Sequence, residues 1–243
     1  GTVVNFLTGL ALFGSTYLFS LFCGAVMRYS ALDIGRVFLV AGALQLVLMP
    51  LVGRLAPKLD GRALLVLGVV GVAASQMLAG ELTSLAGFSD LVRPQILRAI
   101  GLSFIFIPVS VMALSDLDPA TRGNATGLFN LTRELGGSIG TAWMGVVVTN
   151  GLKLHGSALG AHVTPFDPVV QEQLAAMAGN VGTRAASGAL VPEALLQLRA
   201  SGQALVMSFT DGFRLAGLAI LLGLVAIAVM KRPKTGVVAS GAH

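Results

Sequence analysis

The stretch TVVNFLTGLALFGSTYLFSLFCGAVM, residues 2–27, decides the fold, because no Asp, Glu, Lys, Arg or His interrupts it. At about 1.5 Å per residue, a helix of this length crosses the roughly 30 Å of hydrocarbon in a bilayer. Five further runs with little or no charge follow along the chain. The sequence therefore predicts an all-α integral membrane protein with six transmembrane helices, over residues 2–27, 37–53, 63–80, 94–114, 125–149 and 207–230.

The composition is that of a protein whose solvent is lipid. Of the 243 residues, 55% are hydrophobic and only 11% are charged, whereas about 25% are charged in a soluble domain. The net charge of +5 does not indicate nucleic-acid binding, because the basic residues are scattered and mostly flank the apolar runs. The single cysteine, Cys23, excludes a disulfide or a cysteine-based metal cluster within this chain.

Lys and Arg in the short connections predict which side of the membrane each connection faces. Cytoplasmic connections of membrane proteins carry an excess of these residues. We expect the richer side, which includes the tail of residues 231–243, to be cytoplasmic. That side carries Arg54, Lys58, Arg62, Arg122, Lys231, Arg232 and Lys234, and the other side carries Arg28, Arg36 and Arg93.

A long segment, residues 150–206, separates the fifth run from the sixth (207–230) and is predicted to be an extracytoplasmic loop. Residues 169–178 and 192–205 carry apolar side chains at near-helical spacing between prolines. We expect two short helices on the outer face; a partly ordered linker is the alternative. Residues 1–149 hold the other five spans, and the whole arrangement suits two three-helix repeats.

Charged side chains inside the apolar runs are the candidate functional residues, because a charge facing hydrocarbon is costly. Arg98 lies one turn into the fourth run and is expected to face a polar cavity; a side chain that reaches back to the outer interface is the alternative. Asn130, Arg133 and Gly137 share one face of the fifth helix at i, i+3 and i+7. That face suits a polar pathway or a contact between helices. Glu134 points elsewhere and is expected to pair with a neighbouring arginine.

Further positions have structural interpretations. Asp211 and Arg214, at i and i+3 near the outer end of the last run, are predicted to form an ion pair. Gln45 lies midway along the second run, where it would line a cavity or hydrogen-bond to another helix. Small residues let helices approach closely, and we expect this at Gly68, Gly71, Gly136, Gly137 and Gly140.

The sequence offers no arrangement typical of an enzyme. His155, His162 and His243 all lie outside the apolar runs, and two of them in one segment supply at most half of a metal site. There is no Walker loop, dinucleotide-binding glycine pattern or pairing of nucleophile with base. We therefore expect a protein that is not an enzyme and that uses neither a cofactor nor a metal.

Several stretches match the pattern of one transporter family. The second and fourth runs carry PLVGRLAPKLDGR at 50–62 and ILRAIG at 96–101, and the fifth carries GLFNLTR at 127–133. HVTPFDP at 162–168 and DGFR at 211–214 are two further such stretches. Together all of these stretches resemble the fourteen-span drug:proton antiporters of the EmrB/QacA type. The last two resemble the branch of that family that works with a periplasmic adaptor. The resemblance implies the C-terminal half of a major facilitator fold.

The resemblance also implies roles for individual residues. The basic connection after the second span is similar to a cytoplasmic gating motif, with Pro57 where the family usually has Asp; its residues here are Gly53, Arg54, Lys58, Asp60 and Arg62. Aromatic and amide side chains of a central cavity would contact the solute, while two arginines would set its charge or close against a carboxylate. By analogy the cavity residues are Tyr17, Gln45, Arg98, Phe104, Asn130 and Arg133.

The function implied by the resemblance is proton-coupled efflux of hydrophobic or amphipathic compounds by alternating access, in the inner membrane. The implied partners are small-molecule substrates, protons, the lipid bilayer, a periplasmic adaptor and an N-terminal half that carries the proton-coupling acidic residue. Two alternatives stay open, because a fold does not fix a substrate. One is a major facilitator transporter of another solute, and the other is a non-transporting membrane scaffold or adaptor-docking fragment.

Overall fold

In a computed structural model, the structure describes residues 2–55, 59–114, 122–162 and 191–229. Within these residues the chain forms six α-helices and no strand, which confirms the all-α prediction. The helices are α1 (Thr2–Ala25), α2 (Ala31–Leu55), α3 (Gly61–Ala79), α4 (Phe88–Leu114), α5 (Arg122–His162) and α6 (Val191–Val229).

Four stretches of helix in the described part of the chain are long and apolar enough to cross a membrane. They are Asn5–Ala25 in α1, Ala31–Leu55 in α2, Gly61–Ala79 in α3 and Ala200–Gly223 in α6. Helices α4 and α5 cover the other two predicted spans, residues 94–114 and 125–149.

Short polar motifs lie at the starts of α2 and α4. Before α2, the Ser30 hydroxyl oxygen accepts a hydrogen bond from the backbone N–H of Asp33 at 3.3 Å and donates one to its carboxylate at 2.6 Å. At the start of α4, the Asp90 carboxylate accepts a hydrogen bond from the N–H of Gly87 at 2.9 Å. Such contacts satisfy N–H groups that have no partner inside the first helical turn.

The helices pair in a pattern that repeats after three elements. Helix α1 packs along α5, and α4 packs along α2; likewise α3 contacts α4, and α6 contacts α1. If α1, α2 and α3 are matched in order with α4, α5 and α6, the α1–α5 pair corresponds to the α4–α2 pair, and the α3–α4 pair corresponds to the α6–α1 pair. The predicted three-helix repeats require this correspondence. The α5–α6 contact has no counterpart of similar extent between α2 and α3 in the described residues.

Glycines bring neighbouring helices backbone to backbone. A Cβ added at Gly136 of α5 would collide with the carbonyl oxygen of Phe6 in α1, and one added at Gly68 of α3 would lie 2.7 Å from the carbonyl oxygen of Gly101 in α4. The predicted close approach is confirmed at Gly68, Gly71, Gly136 and Gly140, and at Gly137 the close neighbour is the ring of Phe13.

The segment predicted as an outer loop, residues 150–206, differs from that prediction at both ends. Helix α5 continues through residues 150–162, and α6 runs unbroken from Val191 through the last span, so 192–205 is not a separate short helix. Pro192 is the second residue of α6, a position where proline is tolerated because its missing N–H would have no helical partner. The other short helix, predicted at 169–178, lies outside the described residues.

Candidate functional site

A cavity of about 190 Å³ lies between α2 and α4. Its α2 side consists of positions i, i+3, i+4 and i+7, which share one helix face. Among the described residues, Gln45 and Arg98 are the two lining side chains with hydrogen-bonding groups. The described lining residues are Phe38, Ala41, Gly42, Gln45, Arg98, Ala99 and Leu102.

Arg98 is held inside the bundle by neutral oxygen atoms. It is only 8% exposed. Its Nε donates to the side-chain oxygen of Gln95 at 3.0 Å, one turn earlier on α4. Its Nη1 donates to the hydroxyls of Ser15 at 3.3 Å and Thr16 at 2.6 Å on α1. The guanidinium therefore joins α4 to α1 while it borders the cavity beside α2.

The two hydroxyls are themselves oriented by the α1 backbone. Ser15 and Thr16 each donate a hydrogen bond to the carbonyl oxygen of Leu12, at 3.2 and 2.6 Å. Because each hydroxyl proton is used in this way, the oxygen lone pairs are left to accept from Arg98. On the α2 side, the Phe38 ring centroid lies 5.7 Å from the guanidinium carbon, within the range of a cation–π contact.

The charge of Arg98 has no carboxylate partner among the described residues. The ion pairs found there join Arg36 to Asp33 and Arg93 to Asp90, and Asp211 is in contact with the imidazole of His155. The other terminal nitrogen of Arg98, Nη2, makes no hydrogen bond in the described part of the chain and keeps some accessible surface. The cavity thus borders a positive charge that dipoles stabilise but that no anion neutralises.

The structure brings only two of the six predicted cavity residues, Gln45 and Arg98, to this cavity. Tyr17 is 39% exposed on α1, and its hydroxyl would be 3.7 Å from a Cβ added at Gly145 of α5. Phe104 is half-buried on α4 and does not line the cavity, and Asn130 is exposed on α5.

Arg133 lies at a contact between helices rather than in the α2–α4 cavity. Its guanidinium carbon is 5.6 Å from the ring centroid of Phe106 on α4. Its Nε is buried without a hydrogen bond within the described residues. On the same face, Gly137 packs against Phe13 of α1, so this face makes contacts between helices. Glu134 is exposed and forms no ion pair in the described part of the chain.

The predicted gating residues lie at the α2–α3 connection. Gly53 and Arg54 are exposed at the end of α2. Asp60 caps α3, because its carboxylate accepts a hydrogen bond from the backbone N–H of Arg62 at 3.0 Å. The Nε of Arg62 is buried without a hydrogen bond among the described residues, and Lys58 lies outside them.

The predicted ion pair of Asp211 with Arg214 is replaced by a different contact. The Asp211 carboxylate lies 2.7 Å from Nε2 of His155, which the extension of α5 brings alongside α6. No ion pair joins Asp211 to Arg214, although the structure describes both. Arg214 is exposed, and its side chain passes close to Gly80 at the end of α3.

The comparison with known proteins bears on what such a bundle is. The Major Facilitator Superfamily model matches residues 2–141, more than half of the chain. The chain belongs to the major facilitator superfamily. This major facilitator protein is 30% identical over 223 residues to "Colistin resistance protein EmrB" of Acinetobacter baumannii, in an alignment that covers 90% of this chain and 43% of that protein.

A second relative also aligns with this chain over less than half of its own length. The major facilitator sequence is 29% identical over 216 residues to "Multidrug export protein EmrB" of Escherichia coli (strain K12), covering 88% of this chain and 41% of that protein. The chain thus spans less than half the length of either relative. The resemblance to EmrB-type major facilitator proteins is confirmed.

Proposed function

We propose that this chain is the C-terminal part of a proton-coupled exporter of hydrophobic or amphipathic compounds. The names of the relatives, a multidrug export protein and a colistin resistance protein, support export of such compounds. Membership of the major facilitator superfamily supports alternating access, in which two bundles rock around a central site.

The observation that carries the proposal is a buried charge beside a cavity. A static bundle in lipid gains little from burying Arg98 among neutral oxygens, since the desolvation of a buried ion costs several kcal/mol. Charged side chains inside membrane bundles occur where they border a solute or ion route. In this chain the route would pass along α2 and α4, past Gln45 and Arg98.

Two helices present faces suited to a second bundle supplied by sequence outside this chain. On α2, Leu46 is 76% exposed, and on α5 Leu128 is 65% exposed. The α5 face also carries the exposed Asn130 and Glu134, which a purely lipid-facing surface would not favour. We place the transport route between these faces and the partner bundle, which would also carry the proton-coupling carboxylate.

The proposed location is the inner membrane, with residues 231–243 in the cytoplasm. The excess of Lys and Arg on one side of the bundle supports this orientation. The parts of α5 and α6 that continue past the predicted spans would then lie at the outer face, where a periplasmic adaptor would dock.

Ethidium efflux tests the exporter. Cells that produce the full-length protein should accumulate less ethidium than cells with empty vector, and a protonophore should abolish the difference because it collapses the proton gradient. Arg133→Ala should weaken the efflux, since Arg133 lies between α5 and α4.

Equal accumulation in both strains, for ethidium and for several unrelated dyes, would remove the proposal. Efflux that persists without a proton gradient would leave a facilitator of another kind. No transport of any solute, combined with adaptor binding, would favour the membrane scaffold.

A further inference from the structure

We propose that Arg98 is the docking point for the anionic group of the transported solute, so that the site prefers amphipathic anions: carboxylates or sulfonates on an apolar body. This inference rests on the proposed exporter function and adds to it a substrate class. It follows from how the guanidinium is held and from what lines the cavity beside it.

The hydrogen bonds of Arg98 leave one edge of the guanidinium unused. Nε is bound to Gln95, and Nη1 is bound to Ser15 and Thr16. Nη2 has no partner in the described residues and keeps accessible surface. An arginine oriented in this way has already lost its rotational freedom, so an anion that binds Nη2 does not have to order the side chain.

Every group that holds Arg98 is neutral. Amide and hydroxyl oxygens orient the guanidinium without cancelling its charge, and the Phe38 ring adds only a quadrupole. A solute anion therefore enters a site with a net positive charge in surroundings of low polarity, where Coulomb attraction is stronger than in water. A solute cation entering the same site is repelled by that charge.

The rest of the cavity suits the part of an amphiphile next to its charge. Phe38, Ala41, Ala99 and Leu102 offer apolar surface, and the Gln45 amide can donate a further hydrogen bond to an anion oxygen. At about 190 Å³ the cavity is smaller than the roughly 300–1,000 Å³ of a drug-sized pocket. It would thus hold the anionic end while the apolar body extends towards the partner bundle.

A matched pair of fluorescent probes tests the inference. 8-Anilinonaphthalene-1-sulfonate carries a permanent negative charge, and N-phenyl-1-naphthylamine has the same ring skeleton without the sulfonate. Transport of each probe, and of the cation ethidium, is measured in inverted membrane vesicles that contain the full-length protein and an imposed proton gradient. The readout is kcat/KM for each probe.

Arg98→Gln should lower kcat/KM for the sulfonate about 10- to 100-fold, the range expected for a lost hydrogen bond to a charged group. Transport of the neutral naphthylamine should change by no more than about twofold, because its binding uses no charge. Arg93→Gln is the matched control on the same helix. Arg93 is exposed and paired with Asp90, so this variant should transport both probes as the unmodified protein does.

A second variant keeps Arg98 and places a negative charge beside it. A Cβ added at Gly42 meets no atom within 4 Å, and Gly42 lines the same cavity. Gly42→Asp should place a carboxylate in competition with the solute anion, whereas Gly42→Asn has the same shape without the charge. Sulfonate transport should be at least about tenfold lower in Gly42→Asp than in Gly42→Asn, and ethidium transport should be higher.

The outcomes separate the inference from the exporter proposal. If the unmodified protein transports ethidium and the naphthylamine but not the sulfonate, the exporter stands and the anion site is wrong. Equal loss of both naphthyl probes in Arg98→Gln, without a difference between Gly42→Asp and Gly42→Asn, would make Arg98 a structural or coupling residue and overturn the inference. If none of the three probes is transported, the exporter proposal itself fails.

Discussion

Arg98 is the residue in which structure and proposed function meet. Among the described residues it makes three hydrogen bonds, of which the two to Ser15 and Thr16 link α4 to α1, and all three acceptors are neutral. Replacing a buried ion by apolar groups of similar size is often neutral or stabilising, whereas removing one partner of a buried charge is destabilising. If Arg98 is retained for binding rather than for stability, removing one of its partners should destabilise the protein, whereas replacing Arg98 together with that partner by apolar residues should not.

We therefore predict opposite effects for two variants of this pair. Gln95→Leu removes the acceptor of Arg98 Nε and should lower the free energy of unfolding by about 1–3 kcal/mol. The double variant Gln95→Leu with Arg98→Met removes the buried charge as well and should be neutral or more stable than the unmodified protein by about 1–4 kcal/mol. Denaturant titration in detergent micelles measures both. A double variant less stable than Gln95→Leu would mean that Arg98 is retained for stability.

Gly136 supports a prediction about packing. A Cβ at this position would collide with the backbone of Phe6, and backbone cannot move aside as a flexible side chain can. Gly136→Ala should therefore lower the free energy of unfolding by about 1–3 kcal/mol, as overpacking does.

The control is Gly127→Ala on the same helix, where an added Cβ meets no atom within 4 Å. This variant should be neutral or stabilising by up to about 1 kcal/mol, because alanine favours helix over glycine. Equal destabilisation in thermal melts of the two variants would contradict the α1–α5 contact at Gly136.

At the scale of elements, α5 and α6 have 41 and 39 residues, about twice the 20 or so that cross a membrane. Helix α5 continues to His162, and α6 begins at Val191. The two helices are in contact where His155 meets Asp211 and where Gly151 meets Ser208. The end of α5 thus packs on the last span as a helix rather than leaving the bundle as a loop.

A disulfide between the end of α5 and the last span tests this packing. A Cβ added at Gly151 would lie 3.0 Å from the Cβ of Ser208, close to the 3.5–4.5 Å separation in disulfides. Gly151→Cys with Ser208→Cys should cross-link on oxidation. If a protease site is inserted between residues 163 and 190, the two fragments should then stay joined until they are reduced.

Gly156→Cys with Ser208→Cys serves as the control pair, since a Cβ at Gly156 meets no atom within 4 Å. We expect no cross-link there. Fragments of the first pair that separate without reductant would show that α5 does not pack on the last span at Gly151.

Much of this element structure could be predicted from the sequence. Six apolar runs identified six helices, and glycine positions identified where helices approach closely but not which helices meet there. Pro192 was interpreted as a break before a short helix, but proline is also tolerated in the first turn of a long helix. Residues 192–205 were therefore predicted as a separate short helix in a loop, whereas they are part of α6.

The site was predictable only within single helices. Stepping back three, four and seven positions from Gln45 gives Gly42, Ala41 and Phe38, and one turn before Arg98 gives Gln95. Nothing in the pattern reveals that Ser15 and Thr16 of α1 meet Arg98, since that contact depends on how helices distant in sequence pack. The partner of Asp211 was missed for the same reason.

At the scale of the whole molecule, the repeated pairing of helices leaves the face of α2 open to the cavity. In the three-helix repeats, α1 packs on α5 while α4 packs on α2. Arg98 thus lies where α1, α2 and α4 meet, and its positive charge acts on molecules that enter the cavity from its open side. A reagent that enters from water should sense that field.

Charged thiol reagents measure this field at Gly42→Cys, which lines the cavity without close neighbours. An anionic methanethiosulfonate should react faster than a cationic one by about tenfold after correction for their rates with a free thiol, because a tenfold ratio needs only about 1.4 kcal/mol of electrostatic energy. Arg98→Gln should remove the preference. The native Cys23 is fully buried and should not contribute.

Ser75→Cys supplies the contrasting position, since Ser75 is buried on α3 and donates to the carbonyl of Val72. It should stay unlabelled by either reagent. If Gly42→Cys is equally inert, the cavity is closed to water and a solute route along α2 is wrong. If it reacts without any preference for the anion, the guanidinium is neutralised by a carboxylate from outside the described residues, and the positive field that selects the solute does not exist.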